Sequence, residues 1–199
     1  MNFEIILATN NKHKLQEVRE ILSPKGFIVY GLSDLQLVPE DVEENGSTYQ
    51  ENALIKAKAV QKLTSMPIIA DDSGLEIKEM DNEPGLYSAR YASSRGGHEN
   101  AIKEILSNLK GKDRSARFIC DIVLLNVDEK PLLFEGIVPG RIAEEPYGEG
   151  GFGYDPIFVP DEVGKTYAEI PQDIKNKVSH RAKALIKLVT YLRINQLIK

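Results

Sequence analysis

Pro67-Ile68-Ile69-Ala70 is an apolar run that leads directly into Asp71-Asp72-Ser73-Gly74. A run of this length suits a short buried strand. Carboxylates that follow it must be paired, hydrogen-bonded or metal-bound, because an isolated buried charge is costly. Side chains alternate along a strand, so at most one of Asp71 and Asp72 points directly into any one cleft. Two readings of the pair follow. One is a metal ligand or general base at the carboxyl end of a strand. The other is a polar strand end that caps its own turn, as Asp and Ser commonly do. In both, the strand stops at the acids and Ser73-Gly74 turns the chain. Leu75 to Met80 then alternates apolar and polar residues, as a half-buried strand does.

The flanking segments build an α/β pattern. Phe3 to Leu7 reads as a buried strand, followed by the polar loop Ala8-Thr9-Asn10-Asn11-Lys12 and a helix from about His13 to Leu22. Strand, polar loop and helix together can present backbone N–H groups to an anion. The glycines of a Walker or dinucleotide loop are missing. Phe27 to Tyr30 is a second strand. Residues 39–46 form an acidic loop, either solvated surface or a source of one carboxylate, such as Glu44, for a metal. Ser47 or Thr48 caps a helix running to about Leu63, on which Asn52 and Lys56 share a face. Lys56 is a solvated helix lysine unless that face borders the carboxylates. A further helix is expected from about Glu99 to Leu109. Phe118 to Leu125 and Leu132 to Ile142 read as an antiparallel strand pair, which makes the sheet mixed.

Two later stretches stand out. Gly148 to Pro156 holds four glycines with Phe152 and Tyr154, either a plain turn with its rings in the core or a loop that offers a ring face to a nucleobase. The last helix, from about Ser179 to Leu197, places His180 and Arg181 in its first turn, where cations oppose the helix dipole. Local helix stability does not favour them there. An anionic or acceptor-rich ligand accounts for them, as does a chance basic cluster.

Composition excludes little but usefully. The 199 residues suffice for one large domain or two small lobes. A formal net charge of −5 argues against sequence-independent nucleic-acid binding, which needs a basic face. The single cysteine, Cys120, cannot form an intramolecular disulfide. No apolar run approaches membrane-span length, and the first residues lack the basic start and apolar stretch of a signal peptide. A cytoplasmic protein is expected, with no membrane and no nucleic-acid partner.

In combination, the sequence resembles the inosine triphosphate pyrophosphatase family. The stretches that carry the resemblance are ILATNNKHK at 6–14, ENALIKA at 51–57, ADDSGL at 70–75, PGLYSARYA at 84–92, GGFGYDPIF at 150–158 and SHRAKAL at 179–185. They occur in family order across nearly the whole chain. The resemblance implies an α/β fold with an elongated mixed sheet flanked by helices, in two lobes around a cleft, formed by a single domain over residues 1–199. It implies a homodimer and magnesium-dependent cleavage of inosine, deoxyinosine and xanthosine triphosphates to the monophosphate and pyrophosphate. It assigns Thr9, Asn10, Asn11, Lys12, His13 and Lys14 to the phosphate loop, with Asn10 standing where many members have glycine. Asp72 matches the catalytic base and a metal ligand, and Glu44 an acid near the metal. Lys56, Ser73 and Lys175 match substrate contacts. Phe152, Gly153, Tyr154 and Asp155, with His180 and Arg181, match the base pocket. Asp71, facing away from Asp72, is expected to be a supporting group.

Overall fold

The computed structural model describes residues 2–198; Met1 and Lys199, the ends of the domain expected over residues 1–199, lie outside them. Six strands form one sheet: β1 (Phe3–Leu7), β2 (Phe27–Gly31), β3 (Ile68–Ile77), β4 (Ser115–Leu125), β5 (Leu132–Ile142) and β6 (Phe158–Pro160), in the order β2-β1-β3-β4-β5-β6. β1 runs parallel to β2 and β3, whereas β5 and β6 are antiparallel, so the sheet is mixed as expected. The α-helices are α1 (Lys12–Leu22), α2 (Tyr49–Gln61), α3 (Ser88–Ser93), α4 (His98–Asn108), α5 (Gln172–Val178) and α6 (His180–Ile194). Among the described residues no helix is long and apolar enough to cross a membrane.

One sequence expectation is corrected, and one element was not foreseen. β3 does not stop at the acids: it continues through Asp71-Asp72-Ser73-Gly74 as one ten-residue strand. Its interior place between β1 and β4 supplies ladder partners for the backbone, so no turn is needed there. The segment before the last helix, to which the sequence assigns no element, is α5. Its seven residues are mostly polar and carry no apolar period, so they give no periodic helix signal.

The chain packs as two compact units. The first comprises the residues up to Asp72, Cys120–Gly136 and those from Arg181 onward; the second comprises Ser73–Ile119 and Ile137–His180. In the first unit, strand alternation sorts the apolar side chains onto two faces. Ile5, Leu7, Ile69, Cys120, Ile122 and Leu124 pack with Val18, Ile21 and Leu22 of α1 and with Leu185, Leu188 and Leu192 of α6. Each large side chain so buried contributes about 1.5–3 kcal/mol. Ile6, Ala8, Ile68, Ala70, Val123 and Leu125 pack on the other face with Ala53, Ala57 and Val60 of α2. In the second unit, Leu75, Ile77, Phe118, Val138 and Phe158 form a core with Ala101, Ile102 and Ile105 of α4.

Candidate active site

The alternation that sorts the core of the first unit also sorts its acids. Ile69 belongs to the α1–α6 face and Ala70 to the α2 face. Continuing the count sends Asp71 toward α1 and α6 and Asp72 toward α2.

Asp71 is met by cations. Lys14 Nζ lies 3.0 Å from its Oδ2, and Arg181 donates to the same oxygen from Nη2 at 2.9 Å and from Nε at 3.2 Å. Arg181 Nη1 also pairs with Glu17, a buried acid on α1. Burial works to raise the Asp71 carboxyl, but Lys14, Arg181 and Lys56 overcome it and hold the group far below the usual carboxylate range. Burial likewise works against the charge on Arg181, and Glu17 and Asp71 more than offset it. Asp71 is therefore a fixed anion, with its Oδ2 committed to salt bridges.

Asp72 has a different environment. Asn52 Nδ2 donates to its Oδ2 at 3.2 Å, and Lys56 Nζ lies 3.5 Å from its Oδ1. That lysine is shared, since Glu44 Oε2 lies 2.9 Å from the same nitrogen. Burial raises the Asp72 carboxyl above its ordinary value despite Lys56 and Lys14, and Glu44 adds to the rise. Lys56 itself is raised: burial opposes its charge, but Asp72, Asp71 and Glu44 outweigh it. Adjacent residues of one strand thus become a committed anion and a more basic carboxylate. A perturbed acid of the second kind marks a functional-site candidate.

The loop from Thr9 to Lys14 is built differently from the expectation of open backbone donors. Asn11 caps α1, its Oδ1 accepting from the backbone N–H groups of His13 at 2.9 Å and Lys14 at 3.2 Å. Thr9 Oγ1 accepts from Asn11 N at 3.1 Å. Three donors of the loop are therefore spent internally. Asn10, Asn11, Lys12 and His13 are exposed and Thr9 is half-buried, while the Lys14 ammonium turns inward to Asp71.

The second unit holds the glycine-rich loop. Asp155 Oδ2 accepts from Lys175 Nζ at 2.6 Å and from Phe152 N at 2.8 Å. Lys175 is buried on α5, and its ammonium sits 4.6 Å from the centroid of the Phe152 ring. Gly151 has φ +69°, and a Cβ there would lie 2.0 Å from Asp155 Oδ2, so this turn requires glycine. The two rings of the loop separate. Tyr154 is buried with its hydroxyl donating to Ser88 O at 2.7 Å and its ring in a T-shaped contact with that of His98, while Phe152 is half-buried. Gly153 has φ +67° and Ser73 is half-buried. His180 stacks flat on Phe118, with centroids 4.5 Å apart and planes 8° from parallel.

Sequence reading missed two residues of the first unit, Glu17 and Asp121, and the contact of Asn52 with Asp72. Glu17 lies one turn beyond Lys14, beside the apolar stripe of α1, and Asp121 is the one charge in the apolar run from Phe118 to Leu125; both were visible as acids among buried positions. The opposing cations at the start of α6 also gain an internal reason, because Arg181 answers to Asp71 and Glu17.

A mixed α/β sheet thus sets a fixed anion beside a more basic carboxylate, with Lys14 and Lys56 against them, an arrangement of the kind found at hydrolytic sites that use a carboxylate to activate water. The chain belongs to the Ham1 family, whose model matches residues 5–191. It is 48% identical over 188 residues to the dITP/XTP pyrophosphatase of Bacillus subtilis, covering 93% of this chain and 94% of that protein. It is 45% identical to the dITP/XTP pyrophosphatase of Thermus thermophilus, covering 94% of this chain and 90% of that one. The solved structure of the Staphylococcus aureus Ham1 protein superposes with a TM-score of 0.83 at 41% identity, covering 96% of this chain and 99% of that one.

Proposed function

We propose that this chain is a nucleoside triphosphate pyrophosphatase that hydrolyses inosine, deoxyinosine and xanthosine triphosphates to the monophosphate and pyrophosphate. The observation that carries this reading is the division of the acids in β3, with Asp72 held by Asn52 and Lys56 and Asp71 locked by Lys14 and Arg181. Relatives 41–48% identical over most of the chain, named dITP/XTP pyrophosphatases, support it.

Asp72 accepts a proton from water as the water oxygen bonds to the α-phosphorus. The bond from that phosphorus to the α,β-bridging oxygen breaks, and pyrophosphate leaves. Asn52 and Lys56 hold the carboxylate during the transfer. Exposed Lys12, with Lys14 and Lys56, offsets phosphate charge.

The family's reaction calls for a divalent cation, and magnesium is the ion we propose. Among the described residues no three acids, histidines or cysteines cluster to cage a metal. Magnesium does not need such a cage, since it takes one or two carboxylates together with substrate phosphates and water. Glu44 and Asp72 fit that requirement, because Lys56 Nζ already sits as a cation between their oxygens. When bound there, the ion neutralises phosphate charge and orients the reacting oxygens.

For the base, Lys175, His180 and the backbone N–H groups of Gly153 and Tyr154 are the proposed donors and the Phe152 ring the proposed stacking face. Hypoxanthine and xanthine carry an oxygen acceptor at position 6, where adenine carries an amino donor. Donors left unsatisfied by the wrong base reject it strongly. Arg181 enters the proposal through Asp71, to which its Nε and Nη2 are bonded. A cytoplasmic homodimer, with neither nucleic acid nor membrane as a partner, completes the reading.

A substrate panel with magnesium, resolving phosphate from pyrophosphate, tests it. Inosine and xanthosine triphosphates should turn over far faster than adenosine or guanosine triphosphates, with pyrophosphate released. Single phosphates as product, or equal rates on all four, would overturn it. A second outcome concerns the loop: Gly151→Ala should push Asp155 away from Lys175 and raise KM for inosine triphosphate about tenfold or more, with kcat much less affected. An unchanged KM would remove the loop from substrate binding.

A further inference from the structure

Of the stretches that carry the family resemblance, PGLYSARYA at 84–92 holds none of the proposed substrate or metal contacts. Its serine is nonetheless buried and tied by three hydrogen bonds. Ser88, at the start of α3, is 7% exposed. Its Oγ accepts from the backbone N–H of Leu75 at 2.9 Å and donates to Gly85 O at 2.6 Å. Its carbonyl oxygen accepts from the Tyr154 hydroxyl at 2.7 Å. All four residues belong to the second unit.

A strand N–H ordinarily goes to a neighbouring strand, and a buried one must have a partner. That of Leu75, a fully buried position on β3 just beyond Ser73 and Gly74, goes to the Ser88 side chain instead. An aliphatic residue at 88 would take this acceptor away from Leu75 and this donor from Gly85 O. The Tyr154 hydroxyl is the other tie. The Tyr154 ring packs in the same core as Leu75, and phenylalanine would fill that space as well. A buried tyrosine is favoured where its hydroxyl finds a partner, and here the partner is Ser88 O. Tyr154 stands between Gly153 and Asp155, and Asp155 is held by Lys175. The loop N–H groups proposed for the base are thus anchored twice, by Lys175 through Asp155 and by Ser88 through Tyr154.

We infer that Ser88 is a positioning residue: it ties the glycine-rich loop, through Tyr154, to the part of β3 that carries Ser73 and Leu75, and so aims the Gly153 and Tyr154 N–H groups at the base. The inference rests on the base-binding role proposed for this loop.

The test compares Ser88→Ala, which removes the hydroxyl, with Ser88→Thr, which keeps it, and adds Tyr154→Phe and the double variant Ser88→Ala/Tyr154→Phe. For each, kcat and KM for inosine triphosphate are read beside kcat/KM for adenosine triphosphate. In Ser88→Ala, KM for inosine triphosphate should rise about fivefold or more with kcat within about twofold, because the loop is misaimed while no reacting group is removed. The preference over adenosine triphosphate should fall about as much, since the donors that read the base are the ones displaced. Ser88→Thr should keep KM within about twofold of the unmodified protein, because its hydroxyl can make the same bonds. Tyr154→Phe should raise KM in the same direction. The double variant should lie within about twofold of the worse single one, because both changes act along one path. A serine that served stability alone would lower Tm and leave KM and base preference of the folded protein unmoved. Unchanged KM in folded Ser88→Ala, a Thr variant as impaired as the Ala one, or KM increases that multiply in the double variant overturn the inference. If Ser88→Ala does not fold, Tyr154→Phe decides it, and an unchanged KM there overturns it. Failure of the unmodified protein to cleave inosine triphosphate sinks the functional reading instead. Hydrogen exchange at the Gly153 and Tyr154 amides, expected to be about tenfold faster in Ser88→Ala with α4 amides unchanged, then decides the anchoring by itself.

Discussion

Asp72→Asn is expected to lower turnover of inosine triphosphate by about a thousandfold or more, because it removes both a proton acceptor and a metal ligand. The fold should survive. The asparagine oxygen can still accept from Asn52, and the charge removed is one that burial already disfavours. The check is turnover beside thermal melting of the same preparation. A folded variant that keeps most of its activity would move proton transfer to another acid. Asp71 is poorly suited to inherit it, since Lys14 and Arg181 both bind its Oδ2.

Arg181→Met is expected to cost about 3–5 kcal/mol of stability, because Asp71 and Glu17 would be left buried with their main partner gone. For a chain of this size that corresponds to a fall in Tm on the order of 10 °C. Any change in base preference measured with this variant has to be read beside its melting curve. The same cluster sets an acid limit. The folded-state value of Asp71 is depressed, so its contribution is complete above the unfolded value of about 4 and is lost as pH falls below it. The stability gap between the unmodified protein and Asp71→Asn should therefore be widest above about pH 4 and close on further acidification. A Tm for Arg181→Met within about 2 °C of the unmodified protein, or a pH-independent gap for Asp71→Asn, would contradict this account.

Much of the fold was legible because apolar period is a strong signal. The buried faces of α1, α2, α4 and α6 and the long pair β4 and β5 follow directly from it. β3 was misjudged at Ser73-Gly74 because turn chemistry is local, whereas an interior place in a sheet is set by strands distant in sequence. α5 was missed because a short polar helix has no period to read, and with it the burial of Lys175. Of the candidate site, the residue types and the opposed directions of Asp71 and Asp72 were readable from alternation. The partners were not: Glu17 meets Arg181 across 164 positions and Asp71 meets Arg181 across 110, and no pattern within a window connects them.

The unbroken course of β3 through its acids means that their roles are assigned by parity. Even-numbered positions here face α2 and odd-numbered ones face α1 and α6, so the backbone itself decides which acid meets cations and which meets Asn52. A slip of one residue in strand register would exchange the two environments without changing a single side chain. It would hand the fixed anion's cage to Asp72 and Asn52's face to Asp71. The chemistry is therefore written into the counting of the strand as much as into the identity of its residues, and an insertion or deletion between Ile68 and Asp71 should be tolerated far less well than most substitutions there.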